Sequence, residues 1–232
     1  MFNNKFEQNR KSNFILNKLY HLILGEKFSK KINFNFDSKS RIDLIKYMIE
    51  KKNYKKYLEI GCHNNEVFNK IEIEKIGVDP VSGGNFRGTS DEFFKQNKLN
   101  FDCIFIDGLH EYNQVKRDIL NSIKFLVNDG IIILHDCLPP SISHQRVPRT
   151  RYTWNGDVWK AIVEARTWRH VDTYTILSDQ GLGVIKKRNN SNLLNLKKAN
   201  FDKLKYQFFY ENYQSLMRTI YFDEFIKITD CQ

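Results

Sequence analysis

Short apolar runs alternate with helix-length polar stretches along the middle of the chain: "YLEIG" from residue 57, "KIGVDP" from 75, "FDCIFIDG" from 101 and "GIIILHD" from 130. Between the last two, Val115, Ile119, Ile123 and Leu126 recur at helical spacing. Nearly unbroken apolar strands separated by amphipathic helices predict a parallel sheet buried on both faces. Upstream, "SKSRIDLIKYMIEKKN" puts Ile42, Ile45, Met48 and Ile49 on one helical face, with Ser40 as N-cap and Asp43 three residues on. The series ends differently, because "TYTILSDQGLGVIKKR" holds two strand-like runs joined by a short turn containing Gly181. That predicts a hairpin and one antiparallel strand. Beyond Arg188, "LKYQFFYENYQSLMRTIYFDEF" predicts one aromatic-rich helix packing back on the body. The expected organisation is one α/β domain over 1–232, with a helical extension at 1–54, a doubly wound core at 55–188 and a helical segment at 189–232.

Composition narrows this picture. The 232 residues are 41% hydrophobic and 14% aromatic, enough for a full core. A net charge of +10 suggests a polyanionic partner until its distribution is read. Residues 1–56 hold 14 Lys/Arg and 5 Asp/Glu, against 23 and 22 for the remainder, so the body is nearly neutral and nucleic acid is not the favoured partner. The basic N-terminus reads as a solvated, Lys-rich surface, with an anionic membrane or another polyanion as the alternative. Cys62, Cys103, Cys137 and Cys231 show no C-x-x-C pairing and read as reduced thiols. No run approaches eighteen apolar residues, so a soluble, cytoplasmic protein is expected, either alone or as an assembly of identical copies.

In open α/β sheets ligands bind at the carboxyl ends of the strands. The first end, in "KKYLEIGCHNNEVFNKI", runs from an apolar strand through a lone glycine into a helix-like stretch. Only Gly61 stands where a dinucleotide site wants three glycines, and Glu59 would repel a diphosphate. The same carboxylate suits a cation. Asp79, eighteen residues after Gly61, has the spacing of a ribose-binding acid. The ligand so described is a nucleoside with positive charge and no phosphate, which S-adenosylmethionine fits.

At this point the chain resembles the class I S-adenosylmethionine-dependent methyltransferases over about residues 55–188. More narrowly, "YLEIG", "IGVDP", "TSDEFF", "FDCIFIDGLHEYNQVKRDI", "GIIILHDCLPP" and "WNGDVWKAI", in that order, resemble a bacterial subfamily of small-molecule and sugar methyltransferases. The departure is Asn65 where that loop usually has its second glycine, with Asn64 where Asp is common. The resemblance implies a Rossmann-like, mostly parallel sheet with an antiparallel terminal hairpin strand. It implies Glu59 and Gly61 along the methionine portion, Asp79 on the ribose, and Ser90 with Asp91 near the adenine. A helix N-cap before "EFFKQ" is the structural alternative for Asp91.

The third and fourth strand ends are Asp107-Gly108-Leu109-His110 and His135-Asp136-Cys137. Methyl transfer to an alcohol requires alignment and removal of the acceptor's proton. Two solutions fit. Asp107 and Asp136, with His135, could hold Mg2+ or another divalent cation that acidifies the hydroxyl. Alternatively His110 or His135 serves as general base, Asp107 assisting. His110 as a contact at a helix N-terminus and Asp136 as a loop cap are the structural readings, and His63 and His170 are given no chemical role. "CLPPSISHQRVPRTRYTWNGDVWKAI" reads as an acceptor lid. There Arg146, Arg149 and Arg151 suit an anionic group and Tyr152 and Trp154 a sugar ring, Trp159 and Ile162 belong to the core, and Asp157 is an N-cap or a lid contact.

The function expected is O-methylation of a sugar or glycosylated small metabolite, and the resemblance adds polysaccharide or natural-product biosynthesis as its setting. The competing expectations are methylation of RNA or another polyanion, and a non-catalytic S-adenosylmethionine-binding protein. "DGLH" in place of an N-P-P-Y-like segment argues against the former; Asn64 and Asn65 keep the latter open.

Overall fold

The computed structural model describes residues 11–196 and 199–230. Cys231 and the first ten residues of the basic N-terminus therefore lie outside the described residues. Eight strands form one sheet: β1 (Lys56–Ile60), β2 (Glu74–Asp79), β3 (Phe86–Arg87), β4 (Phe101–Ile106), β5 (Leu126–Leu134), β6 (Asp172–Ile176), β7 (Leu182–Lys186) and β8 (Thr219–Ile220). The helices are α1 (Lys11–Ile23), α2 (Arg41–Lys52), α3 (Ser90–Gln96), α4 (Tyr112–Phe125), α5 (Ile142–Gln145), α6 (Trp159–Ala165), α7 (Tyr206–Met217) and α8 (Phe222–Asp230). The strand order is β3-β2-β1-β4-β5-β7-β6-β8. β7 lies antiparallel between β5 and β6, and the other pairings are parallel, which is the α/β Rossmann-like sheet that the hairpin pattern predicts.

Alternate residues of the central strands feed opposite faces, which explains why they read as unbroken apolar runs. Ile104, Ile106, Ile132 and Leu134 join a cluster with α3, α4, α6 and α7, whereas Cys103, Phe105, Ile131 and Ile133 join one with α2 and α8. All eight are nearly or wholly excluded from solvent, and each aliphatic or aromatic one contributes about 1.5–3 kcal/mol of burial. Trp159 and Ile162 are fully buried on α6. α2 begins with a capping box in which Ser40 and Asp43 serve each other's backbone, and its Leu44, Ile45 and Met48 are buried.

Several local expectations are corrected. The stretch after β1 forms turns and one short 3-10 helix, Phe68–Lys70, instead of an α-helix. The cap of α3 is Thr89, boxed with Glu92, so Asp91 is not the N-cap. Leu126 opens β5 instead of closing α4. The C-terminal aromatic stretch is not one helix: Arg218 turns left-handed (φ 50°) after α7, β-branched Thr219 and Ile220 add an edge strand beside β6, and α8 follows.

Candidate active site

The carboxyl ends of β1, β2, β4 and β5 open onto a cavity of about 620 Å³, a size suited to a cofactor and a small acceptor. Its lining includes Glu59, Gly61, His63, Asp79, Ser90, Asp91, Asp107, His110, His135 and Asp136. Gly61 holds φ +89°, and a Cβ there would lie 2.2 Å from the Asp107 carbonyl oxygen. The first loop therefore lies directly against the β4 end, and only glycine permits it. Asn65 takes a left-handed conformation (φ 64°), which Asn tolerates, and its Oδ1 accepts from the Gly84 backbone (2.7 Å).

Buried carboxylates at the ends of β1 and β2 line one side of the cavity. Asp79 accepts three backbone N–H groups, from Val81 and Ser82 (2.8 Å each) on Oδ1 and from His63 (2.9 Å) on Oδ2. It therefore fixes the loops on both sides of itself. Glu59 is 1% exposed, and burial pushes its carboxyl up to about 7 although Tyr57 donates to it at 2.7 Å. Ser90 donates to Asp118 (2.6 Å), to which Gln114 also donates (3.0 Å), and burial raises the Asp118 carboxyl to about 6. Asp91 is half-exposed and pairs with Arg117 at 3.4 Å.

The other side is an ionic cluster. His110 reaches Asp107 and Asp136 at 3.2 Å each; His135 reaches both at 3.3 Å and Asp179 at 3.2 Å. Burial opposes charge on these groups, but the surrounding carboxylates raise His110 and take His135 well above the ordinary histidine value. Burial would raise Asp107 as well, yet the two imidazoles hold it well below the usual carboxylate range. Asp136 sits at φ 61°, an unusual conformation for a residue with a side chain. His110 is fixed from outside: its Nδ1 meets the Trp154 carbonyl (3.0 Å), its ring stacks on Trp154 (centroids 5.3 Å apart), and Gly156 (φ +61°) packs on its backbone.

The residues present fit a divalent cation. Asp107, His110 and Asp136 offer ligand atoms within 4.8 Å of one another, mixing hard oxygen with imidazole nitrogen. Asn155 is fully buried and donates to Asp136 (2.8 Å), while its own Oδ1 has no hydrogen-bond partner. His110, not His135, completes the grouping with the two carboxylates.

Of the lid residues, Arg149, Tyr152 and Trp154 line the cavity; Arg146 and Arg151 do not figure in its lining. Trp154 donates its indole N–H to the Arg146 carbonyl (2.6 Å), and the Arg149 guanidinium lies 5.2 Å from the Trp154 ring and 5.6 Å from that of Phe14. Asp157 accepts the Tyr112 backbone N–H (2.6 Å) at the start of α4 and pairs with Lys160 (3.0 Å). His170 stacks on Trp168, away from the site.

Four residues the sequence did not single out take part. Arg41 pairs with Asp179 (3.0 Å) and closes the cluster behind His135; Asp118 anchors Ser90, and Asn155 holds Asp136. Arg41 left one local signal, a cation in the first turn of a helix, where the macrodipole disfavours it.

Residues 58–137 match the methyltransferase-domain family Methyltransf_24. No curated protein matches the chain. Among solved structures it is similar to cofactor-bound Rv0187 from MTB (9% identity, 79% of this chain and 100% of that one, TM-score 0.51). It is similar also to a Staphylococcus aureus protein assigned as a caffeoyl-CoA O-methyltransferase (17%, 78% and 93%, 0.50). A further likeness is to the Podospora anserina methyltransferase PaMTH1 bound to SAH (15%, 76% and 88%, 0.49).

Proposed function

We propose that this S-adenosylmethionine-dependent methyltransferase methylates a hydroxyl of a small polar acceptor, a sugar or glycosylated metabolite. The observation that carries the reading is the meeting, in one cavity, of Glu59 and Asp79 with the cluster of Asp107, His110, His135 and Asp136. Glu59 takes the cofactor's cationic end, Asp79 its ribose, and Ser90 and Asp91 border the adenine. The acceptor oxygen attacks the methyl carbon, the carbon–sulfur bond breaks, and the acceptor's proton leaves.

The carboxylates raise His110 and take His135 well above the ordinary histidine value, which favours the protonated rings; either imidazole takes the acceptor's proton only in its neutral form. Cofactor charge arriving beside the cluster favours that form. A divalent cation held by Asp107, His110 and Asp136 would supply Lewis acidity that lowers the acceptor hydroxyl's pKa. Arg149 at the rim offers a cation to a phosphate, carboxylate or uronate, and Tyr152 beside it an aromatic face.

The test is methyl transfer from labelled S-adenosylmethionine to a panel of sugars, uronates and glycosylated phenols, with magnesium or manganese and with chelator. The reading expects an O-methylated product, lost with chelator and in Asp107→Asn and Asp136→Asn, while cofactor titration stays unchanged. Turnover that survives the double exchange would place the chemistry elsewhere.

A further inference from the structure

The inner face of α1 is held by the lid loop. Phe14 meets Tyr152 edge-on (5.0 Å), Asn17 donates to the Arg149 carbonyl (2.7 Å), and His21 Nε2 lies 2.8 Å from the Pro148 carbonyl oxygen. Phe14 and His21 are buried, and the three positions follow helical spacing. The outer face carries Ile15, Leu16, Leu19, Tyr20, Leu22 and Ile23, with Leu24 just beyond. All are exposed, Leu22, Leu24 and Ile23 by 68%, 72% and 76%, and no described residue covers them. Soluble proteins seldom leave so continuous an apolar stripe bare without a use for it.

Charge indicates what covers it. Lys18 stands on the exposed side, and Lys27, Lys30 and Lys31 follow the helix, all exposed. The one acid between residues 11 and 31, Glu26, is turned inward and accepts the backbone N–H groups of Tyr206 and Gln207 (2.8 Å each) at the start of α7. The stripe is thus followed along the chain by exposed lysines, of which Lys27 turns its ammonium onto the His21 and Leu22 carbonyls and Lys30 lies 5.7 Å from the Tyr210 ring, with no exposed acid among them. A second copy laid on this face would bring lysines against lysines. An anionic bilayer accepts both the apolar side chains and the ammonium groups.

We propose that α1 docks this protein on an anionic membrane surface, its outer face entering the headgroup region with Lys18, Lys30 and Lys31 toward the lipid phosphates. No helix among the described residues is long and apolar enough to cross a membrane, so this is attachment to one leaflet. Tyr152 both lines the cavity and touches Phe14, so docking sets the cavity's rim beside the bilayer.

The test is flotation of the full-length chain with vesicles of phosphatidylcholine alone or mixed with phosphatidylglycerol, with light scattering of the lipid-free protein alongside. The chain floats with the mixed vesicles and not the neutral ones, and salt weakens the binding. Leu22→Glu with Ile23→Glu abolishes flotation with unchanged circular dichroism. Lys30→Glu with Lys31→Glu weakens partition at least about twenty-five-fold, each lysine being worth about fivefold at such a surface. Equal flotation with both vesicles, or none, overturns the proposal. So does a dimer that the Leu22 and Ile23 exchanges dissociate, which would make a second copy the occupant.

Discussion

Glu59 gives the sharpest test of what the cavity holds. Its carboxyl rises from 4.5 to about 7, and burial is the largest cause. At about 1.4 kcal/mol per pKa unit, burial makes ionisation costlier by about 3 kcal/mol. Glu59 is 1% exposed, so solvent screening takes little from that figure. An ammonium or sulfonium docked beside the carboxylate offsets this cost, and the bound-state pKa falls back toward the ordinary value. Affinity for a cationic ligand therefore grows up to about tenfold per pH unit between about 4.5 and about 7 and levels off above it, since in that window a proton must be expelled on binding.

Calorimetric titration with S-adenosylmethionine across that range reads this slope directly, and adenosine, which has the ribose and base without the amino acid, should show none of it. Glu59→Gln should flatten the profile and weaken binding about 10- to 100-fold above pH 7, the worth of a charge-assisted hydrogen bond. Tyr57→Phe removes the donor at 2.7 Å and should move the midpoint upward, because that bond favours the carboxylate. A wild-type affinity that does not change with pH, or a Gln variant binding within about twofold of wild type, would refute the assignment of the cationic end to Glu59.

Other predictions follow the same geometry. Asp79→Asn replaces one acceptor oxygen with an N–H2 donor facing backbone N–H groups, so adenosine and S-adenosylmethionine should both weaken about 10-fold or more in the same titrations. Asp118 rises from 3.8 to about 6 on burial, so its folded form holds the proton more tightly than the unfolded one. Its contribution is full below about 3.8 and is lost as pH climbs through 6, up to about 3 kcal/mol, and Asp118→Asn should remove that slope from the pH dependence of the melting temperature. Gly156→Ala puts a Cβ 1.8 Å from the His110 carbonyl at φ +61° and should cost about 2 kcal/mol or more in denaturant unfolding; unchanged stability would mean the His110 backbone is not so constrained.

The sheet was legible where both faces are covered, because burial on two sides makes most positions of β1, β4 and β5 apolar and leaves near-continuous runs. It was illegible where two residues suffice for a strand. β3 and β8 have no period to detect, and the aromatic stretch around β8 concealed a left-handed break at Arg218. The α3 cap is legible in sequence as well: "TSDE" is a capping box from Thr89 to Glu92, which sets the cap two residues before Asp91.

The site divides in the same way. Asp107, His110, His135 and Asp136 stood out because topology brings parallel strand ends together, so residues at corresponding places in separate runs become neighbours. Arg41 and Asp179 could not, since they meet across 138 positions through a helix N-terminus and a hairpin turn whose mutual placement no local pattern encodes. Their pairing places a cation behind His135; burial opposes charge on Asp179, but the hydrogen bond to His135 and then the Arg41 backbone and guanidinium bring its carboxyl down to about 2, so the imidazole stays between carboxylates. Asn155 escaped notice for a different reason. In sequence it is one more polar lid residue, and only full burial against Asp136, with its own oxygen left unsatisfied, separates it from Asn64 or Asn65. Strand ends thus announce the chemistry in one dimension, while the residues that fix the charge and angle of that chemistry become visible only when burial is known.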